Sequence, residues 1–230
     1  MIKTVIFDLD DTMYDFDTPH KAAYEKMCTA AEKMLGVPAE TFGKQYDASF
    51  DALRSRLGMD YDIGAVHSRI LRFQYVLEQL HKPLFPYVLD LYHIYWGEIL
   101  SHLVPEPGIE DALKALKEKG VKIGVGTNMT ALIQYMKLNR LGFGNYLDFM
   151  VTSDESNCDK PGARFFELCV EKAGCKADEC LYIGDSFYFD YEGATNAGLR
   201  ALWYNRKNQP EDGCKYVIHS YYELLRIIEN

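Results

Sequence analysis

Residues 1–12 read MIKTVIFDLDDT, and the interpretation of the whole chain starts from them. Val5, Ile6 and Phe7 form a short apolar run that stops at Asp8, Asp10 and Asp11. An apolar run of this length, closed by turn formers, reads as a strand buried on both faces of a parallel sheet. Open parallel sheets hold their ligands in the crevice beyond the carboxyl ends of the strands. Asp8 and Asp10 would leave the strand into that crevice. Their carboxylates and that of Asp11 repel one another, and a divalent cation among them would relieve the repulsion, because hard cations take oxygen ligands. Read alone, the same pattern also suits an acidic strand-to-loop turn with no ligand.

Past Thr12 the spacing of apolar residues changes from strand to helix. Pro19 to Leu35 carries Ala22, Ala23, Met27, Ala30, Ala31 and Met34 at helical spacing, and Gly36-Val37-Pro38 ends it. Glu40 to Leu57 and Ile63 to Leu80 give two further amphipathic segments. His81-Lys82-Pro83 and Pro86 interrupt before a last one, Val88 to Leu103. Helices in unbroken succession predict a bundle-like unit.

At Val104-Pro105-Glu106-Pro107-Gly108 strands and helices begin to alternate. Helices are expected at Ile109 to Lys119, Met129 to Leu141, Pro161 to Ala173 and Tyr191 to Ala197, stopped by Gly120, Gly142, Gly174 and Gly198. Strands are expected at Val121 to Gly126, Phe149 to Thr152, Leu181 to Gly184 and Ala201 to Tyr204, with a weak strand at Val217-Ile218 and a helix from Tyr222 to Ile228. The pattern predicts an α/β fold, a Rossmann-like, doubly wound parallel sheet whose first strand is Thr4 to Asp8. The expected domains are a discontinuous core, residues 1–14 and 105–230, and an all-helical insertion, residues 15–104.

The 230 residues include 48% hydrophobic and 26% charged side chains, which suits one large or two modest domains with a sizeable core. A net charge of −9, without a long basic run, argues against partners among nucleic acids or anionic membranes. An anionic substrate would then need positive charge supplied locally. No positively charged segment leads into a long apolar stretch, and no stretch approaches the length of a membrane span, so a cytoplasmic protein is expected. Cys28, Cys158, Cys169, Cys175, Cys180 and Cys214 form no C-x-x-C pair and read as free thiols.

Polar groups fall at strand ends or in the loops after them: Asp8 with Asp10, Thr127 with Asn128, Lys160 with Pro161, and Asp185 with Asp190. Singly, each has an ordinary reading. A threonine after a strand commonly caps a helix, a lysine is commonly solvated, and Asp185 could cap the helix that follows it. Together they fall along one edge of one sheet.

DLDDT at Asp8 to Thr12, GTN at Gly126 to Asn128, Lys160-Pro161, and GDSFYFD at Gly184 to Asp190 resemble the four motifs of the haloacid dehalogenase superfamily of phosphohydrolases. Glu106 to Asn128 is similar to that family's return from cap to core, and Gly193 to Arg206 also fits its pattern. The resemblance covers nearly all of the core; residues 15–104 resemble the family's cap in position and helical character only. It implies a magnesium-dependent phosphatase of small phosphorylated metabolites, of nucleotide, sugar phosphate or phosphoglycolate type. The chemistry of phosphoryl transfer supports the match and suits the roles that the resemblance implies. Asp8 would attack phosphorus and form an aspartyl-phosphate. Asp10 would protonate the leaving alcohol and later deprotonate water. Magnesium (Mg2+) would be held by the Asp8 carboxylate, the Asp10 carbonyl and the Asp185 carboxylate. The resemblance gives Asp190 a supporting place beside the metal. Thr127 and the Asn128 amide would hold the phosphoryl group, and Lys160 would offset its charge.

The dehalogenases of the superfamily lack an acid equivalent to Asp10, since halide leaves without a proton, so a phosphate ester suits this chain better. Asp11 stands where the motif often has glycine and reads as turn chemistry. Tyr14, Asp15, Phe16 and Asp17 read equally as hinge or substrate-facing residues and as a polar linker with aromatic packing. Arg54, Arg56, Arg69 and Arg72 are candidates for a second anionic group on the substrate, or ordinary solvated arginines. Two rival functions remain on the sequence alone: a phosphomutase of the β-phosphoglucomutase type, and a non-catalytic phosphate-binding or signalling protein.

Overall fold

The computed structural model describes residues 1–56, 67–210 and 213–229. These residues form two compact units, one of residues 1–15 with 104–230 and one of residues 16–103.

The first unit is built on a parallel sheet. Strand β1 is Thr4–Phe7, β2 Lys122–Thr127, β3 Phe149–Thr152, β4 Cys180–Gly184, β5 Arg200–Tyr204 and β6 Val217–Ile218, in the spatial order β3-β2-β1-β4-β5-β6. All neighbours run parallel. β1 therefore lies between β2 and β4, which is why Val5, Ile6 and Phe7 are all apolar: a central strand has no solvent face. Successive side chains go to opposite faces. Ile6 joins a buried cluster with Phe165, Phe166 and Cys169, while the Phe7 ring meets that of Tyr221 at a centroid distance of 6.2 Å. Helices thus cover both faces, as a doubly wound sheet requires.

The second unit is helical: α1 is Asp17–Leu35, α2 Ala39–Arg56, α3 Arg69–Gln79 and α4 Tyr87–Ser101. Its interior is aromatic, with Tyr46, Phe73 and Tyr95 packed at centroid distances of 5.3 to 6.3 Å. Leu57 and Ile63 to Val66, expected at the facing ends of two helical segments, lie outside the described residues. His67 and Ser68 precede α3, whose start is fixed by the Ser68 hydroxyl accepting the Leu71 N–H.

The chain resumes in the first unit with α5 (Ile109–Glu118), α6 (Ala131–Leu141), α7 (Ser153–Ser156), α8 (Ala163–Ala173), α9 (Gly193–Asn196) and α10 (Tyr221–Glu229). Two departures from the sequence expectation matter. The short α7 sits directly after β3, capped by Thr152. And the aromatic run after Asp185 is already helical from Phe187, as one wide turn to Glu192 in which the Tyr191 N–H reaches back to the Ser186 carbonyl. That i→i+5 closure carries no 3.6-residue period, so periodicity missed it.

Candidate active site

The Asp8 N–H still donates to the Ile183 carbonyl, so the sheet holds this residue one position beyond β1. Its carboxylate is buried, and Lys160 Nζ lies 2.6 Å from Oδ1. The same ammonium lies 2.6 Å from Asp190 Oδ1. The other oxygen of Asp190 accepts the Ser186 N–H at 3.0 Å, which makes Asp190 a brace between the lysine and the loop after β4. Thr12 ties that loop to β1. Its Oγ1 accepts the Asp185 N–H at 3.0 Å, leaving its single proton for Asp8 Oδ2 at 3.3 Å or Asp185 Oδ1 at 3.5 Å. The Trp203 indole donates to the Asp185 carbonyl at 2.8 Å and fixes the other side of the same residue.

Carboxylate oxygens of Asp8, Asp185 and Asp190 come within 4.8 Å of one another. Burial raises the Asp8 carboxyl; Lys160 opposes the rise and Asp190 adds to it, and the net is upward, to about 7. Asp185 rises to about 8, through burial first and then through Asp8 and Asp190. Burial alone would lower Lys160, but the two carboxylates outweigh it and hold the ammonium well above its ordinary range. Against these three carboxylates stands one ammonium among the described residues, and the ligand atoms on offer are hard oxygens. This set fits a divalent cation such as magnesium.

Asp10 lies in a separate web. Its Oδ1 accepts from Lys137 Nζ at 2.6 Å and from the Tyr14 hydroxyl, and its Oδ2 accepts from Gln134 Nε2 at 3.0 Å. Burial works to raise its carboxyl, but Lys137, Tyr14 and Gln134 together leave it lowered. Gln134 also donates to Thr127 Oγ1 at 2.7 Å, so the Thr127 hydroxyl keeps its own proton to offer. Asn128 pairs with the backbone of Lys160: its Oδ1 accepts the Lys160 N–H at 2.8 Å and its Nδ2 donates to the Lys160 carbonyl at 3.3 Å. The side-chain amide thus positions Lys160.

Around the site, Asp11 adopts φ 60° in the turn after Asp10 and pairs with Arg206 at 3.1 Å. Arg206 also holds Asp15 at 2.8 Å and Glu106, so one guanidinium joins the outgoing and returning chain of the first unit. Of the candidate arginines, Arg72 is buried inside the helical unit, donating to Ser49 Oγ at 2.8 Å and the Tyr46 carbonyl at 2.7 Å. That leaves it bonded inward. Arg56 is exposed and faces Glu78 at 3.4 Å, and Arg69 lies over the Tyr95 and Trp96 rings.

Sequence reasoning brought Asp8, Lys160, Asp185 and Asp190 to one place, and they are together. It missed Thr12, Gln134 and Lys137. The last two were visible as polar residues on the inward face of a helix: Ile133, Gln134, Lys137 and Leu138 are all buried in α6.

Comparison with known proteins places the chain in a family. Residues 2–198 match the family described as haloacid dehalogenase-like hydrolase. A ribulose-1,5-bisphosphate 5-phosphatase of Halopiger xanaduensis is 30% identical over 92% of this chain and 88% of that protein. A glyceraldehyde 3-phosphate phosphatase of Methanothermobacter thermautotrophicus is 34% identical over 89% of this chain and 86% of its own. The crystal structure of a phosphatase of the same family from Thermococcus onnurineus superposes with a TM-score of 0.77 at 24% identity, covering 99% of this chain and 98% of that one.

Proposed function

The chain belongs to the haloacid dehalogenase-like hydrolases and is a phosphoric monoester hydrolase, and from that premise we propose a magnesium-dependent phosphatase of small phosphorylated metabolites that works through an aspartyl-phosphate on Asp8. The observation that carries this reading is the Asp8 carboxylate, fixed at the end of the central strand, salt-bridged by Lys160 and close to Asp185.

Asp8 attacks phosphorus as the bond to the leaving oxygen breaks, and Asp10, entering the step as the neutral acid, passes its proton to that oxygen and becomes the carboxylate. In the second step Asp10 takes a proton from water, the water oxygen bonds to phosphorus, and the Asp8–phosphorus bond breaks to release inorganic phosphate. The Thr127 hydroxyl and the Asn128 N–H hold the phosphoryl oxygens, and Lys160 balances charge on Asp8 and on the phosphoryl group. The Asp8 and Asp185 carboxylates and the Asp10 carbonyl would hold magnesium, with Asp190 supporting through Lys160 and Ser186. When bound, magnesium offsets negative charge on the phosphoryl group and on the carboxylates. The helical unit takes the part of a cap that selects the substrate. Sugar phosphates are the first class to test, since two relatives are named for such substrates.

The test is phosphate release from a panel of sugar phosphates, nucleoside monophosphates and phosphoglycolate, with magnesium, with excess chelator, and with Asp8→Asn. Release that needs magnesium and falls at least ~10³-fold in Asp8→Asn supports the reading. Release equal in wild type and Asp8→Asn overturns it, and accumulation of an isomer in place of free phosphate assigns a mutase.

A further inference from the structure

We infer that Lys137, together with Tyr14, is a positioning residue for the proton transfers, acting through Asp10; the inference rests on the reading of Asp10 as general acid and base. Lys137 is fully buried on α6, where an apolar side chain would pack at lower cost. Its ammonium instead lies 2.6 Å from Asp10 Oδ1 and 5.7 Å from the centre of the Tyr14 ring. The Tyr14 hydroxyl also donates to Oδ1.

Donors on both oxygens fix the plane of the Asp10 carboxylate, and they fix it unequally. Oδ1 is occupied by an ammonium and a phenol, while Oδ2 has one neutral amide, from Gln134. A carboxylate oxygen has about two lone-pair directions. Both near Oδ1 are used, whereas among the described residues Oδ2 meets one donor. Oδ2 is therefore the oxygen that hands its proton to the leaving alkoxide as the ester bond breaks and the Asp8–phosphorus bond forms. It takes a proton back from the attacking water in the second step. The Gln134 amide that marks Oδ2 also donates to Thr127 Oγ1, so the proton-transfer oxygen and the phosphoryl-holding hydroxyl share one support. Without Lys137 only the two neutral donors, Tyr14 and Gln134, hold the Asp10 carboxylate, its orientation loosens, and the proton path loses direction.

The experiment compares the first turnover of an alkyl phosphate and of 4-nitrophenyl phosphate, with magnesium, by rapid quench. Lys137→Met should slow release of the alkyl alcohol by ~10–100-fold and of nitrophenol by less, because nitrophenolate leaves without a proton. KM should change little, and Lys137→Arg should restore much of the loss. Added to Asp10→Asn, Lys137→Met should cost nothing more, because it acts through the missing carboxylate. Equal losses for both esters, or losses that add to those of Asp10→Asn, overturn the inference. If Asp10→Asn itself slows both esters equally, it is the acid–base reading of Asp10 that falls, and the inference with it. Should Lys137→Met not fold, Tyr14→Phe removes the other donor from Oδ1 and is held to the same leaving-group and double-substitution criteria.

Discussion

Lys160 Nζ stands 2.6 Å from Asp190 Oδ1, a residue 30 positions away, while meeting Asp8 at the same distance on its other side. The lysine is thus the counter-charge that lets buried carboxylates from the end of β1 and from the turn after β4 coexist. Lys160→Met should expose their repulsion. Removing one partner of a buried ion pair costs about 3–5 kcal/mol, and loss of a donor to the transferring group lowers turnover by ~10²–10³-fold. Denaturant melts with and without magnesium check the first effect, and the gap should narrow when the metal is present. A variant as stable as wild type in excess chelator would show that the ammonium does not hold the cluster.

Gly184 ends β4 directly beneath this brace. A Cβ there would run into the Asp190 side chain, which Lys160 and Ser186 hold and which cannot turn away without breaking both bonds. Gly184→Ala should destabilise by about 1–3 kcal/mol through overpacking and should also lower activity, since Asp190 carries Lys160 with it. Gly144→Ala, where a Cβ meets nothing within 4 Å, is the matched control and should stay within about 0.5 kcal/mol of wild type. Equal stability and activity in the two variants would remove the close approach from the account.

What the sequence made legible follows from how each signal is carried. Val5 to Phe7 announced a central strand because both faces of such a strand exclude polar residues, and the edge of the sheet then followed for Asp8, Thr127 and Asp185. Gln134 and Lys137 escaped because the helix Met129 to Leu141 is read from its bounds and its stop at Gly142 alone, although two polar side chains on the face of Ile133 and Leu138 needed a buried partner. The Arg206 cluster escaped for another reason. Its bonds to Asp11 and Asp15 span 195 and 191 positions, and no local spacing records them. The Phe187–Glu192 turn escaped since an i→i+5 loop has neither strand nor helix period.

Acid stability is expected to depend in part on Asp148, away from the carboxylate cluster. Partial burial works to raise its carboxyl, but Lys117, at 2.7 and 2.8 Å from its two oxygens, and the Ile123 N–H, at 2.7 Å, leave it lowered. A carboxyl lowered on folding contributes stability above its unfolded value near 3.8 and loses it as the pH falls through the folded value. Asp148→Asn should therefore be less stable than wild type at pH 7, by about 1 kcal/mol for a pair this close to solvent. The difference should shrink below about pH 4. Chemical melts at both pH values check it, and a gap that stays constant would assign the loss to packing rather than to charge.

Thr12 offers the sharpest test of how the Asp8 and Asp185 carboxylates are aimed. Its hydroxyl accepts the Asp185 N–H and donates to Asp8 or Asp185, and the Tyr221 hydroxyl holds its own carbonyl at 3.0 Å. Thr12 contacts the Asp8 and Asp185 carboxylates, and its effect is expected to come through them. Thr12→Val keeps the shape and removes both bonds. Groups that orient a metal's ligands typically contribute ~10–100-fold to affinity. The half-saturating magnesium concentration should rise by that factor, while turnover at saturating magnesium recovers most of its wild-type value. Rates measured across a magnesium titration, with calorimetric binding on the same protein, separate the two effects. An unchanged magnesium requirement with lowered turnover would place Thr12 on the phosphoryl side of the site, and unchanged values of both would make its hydroxyl a bystander.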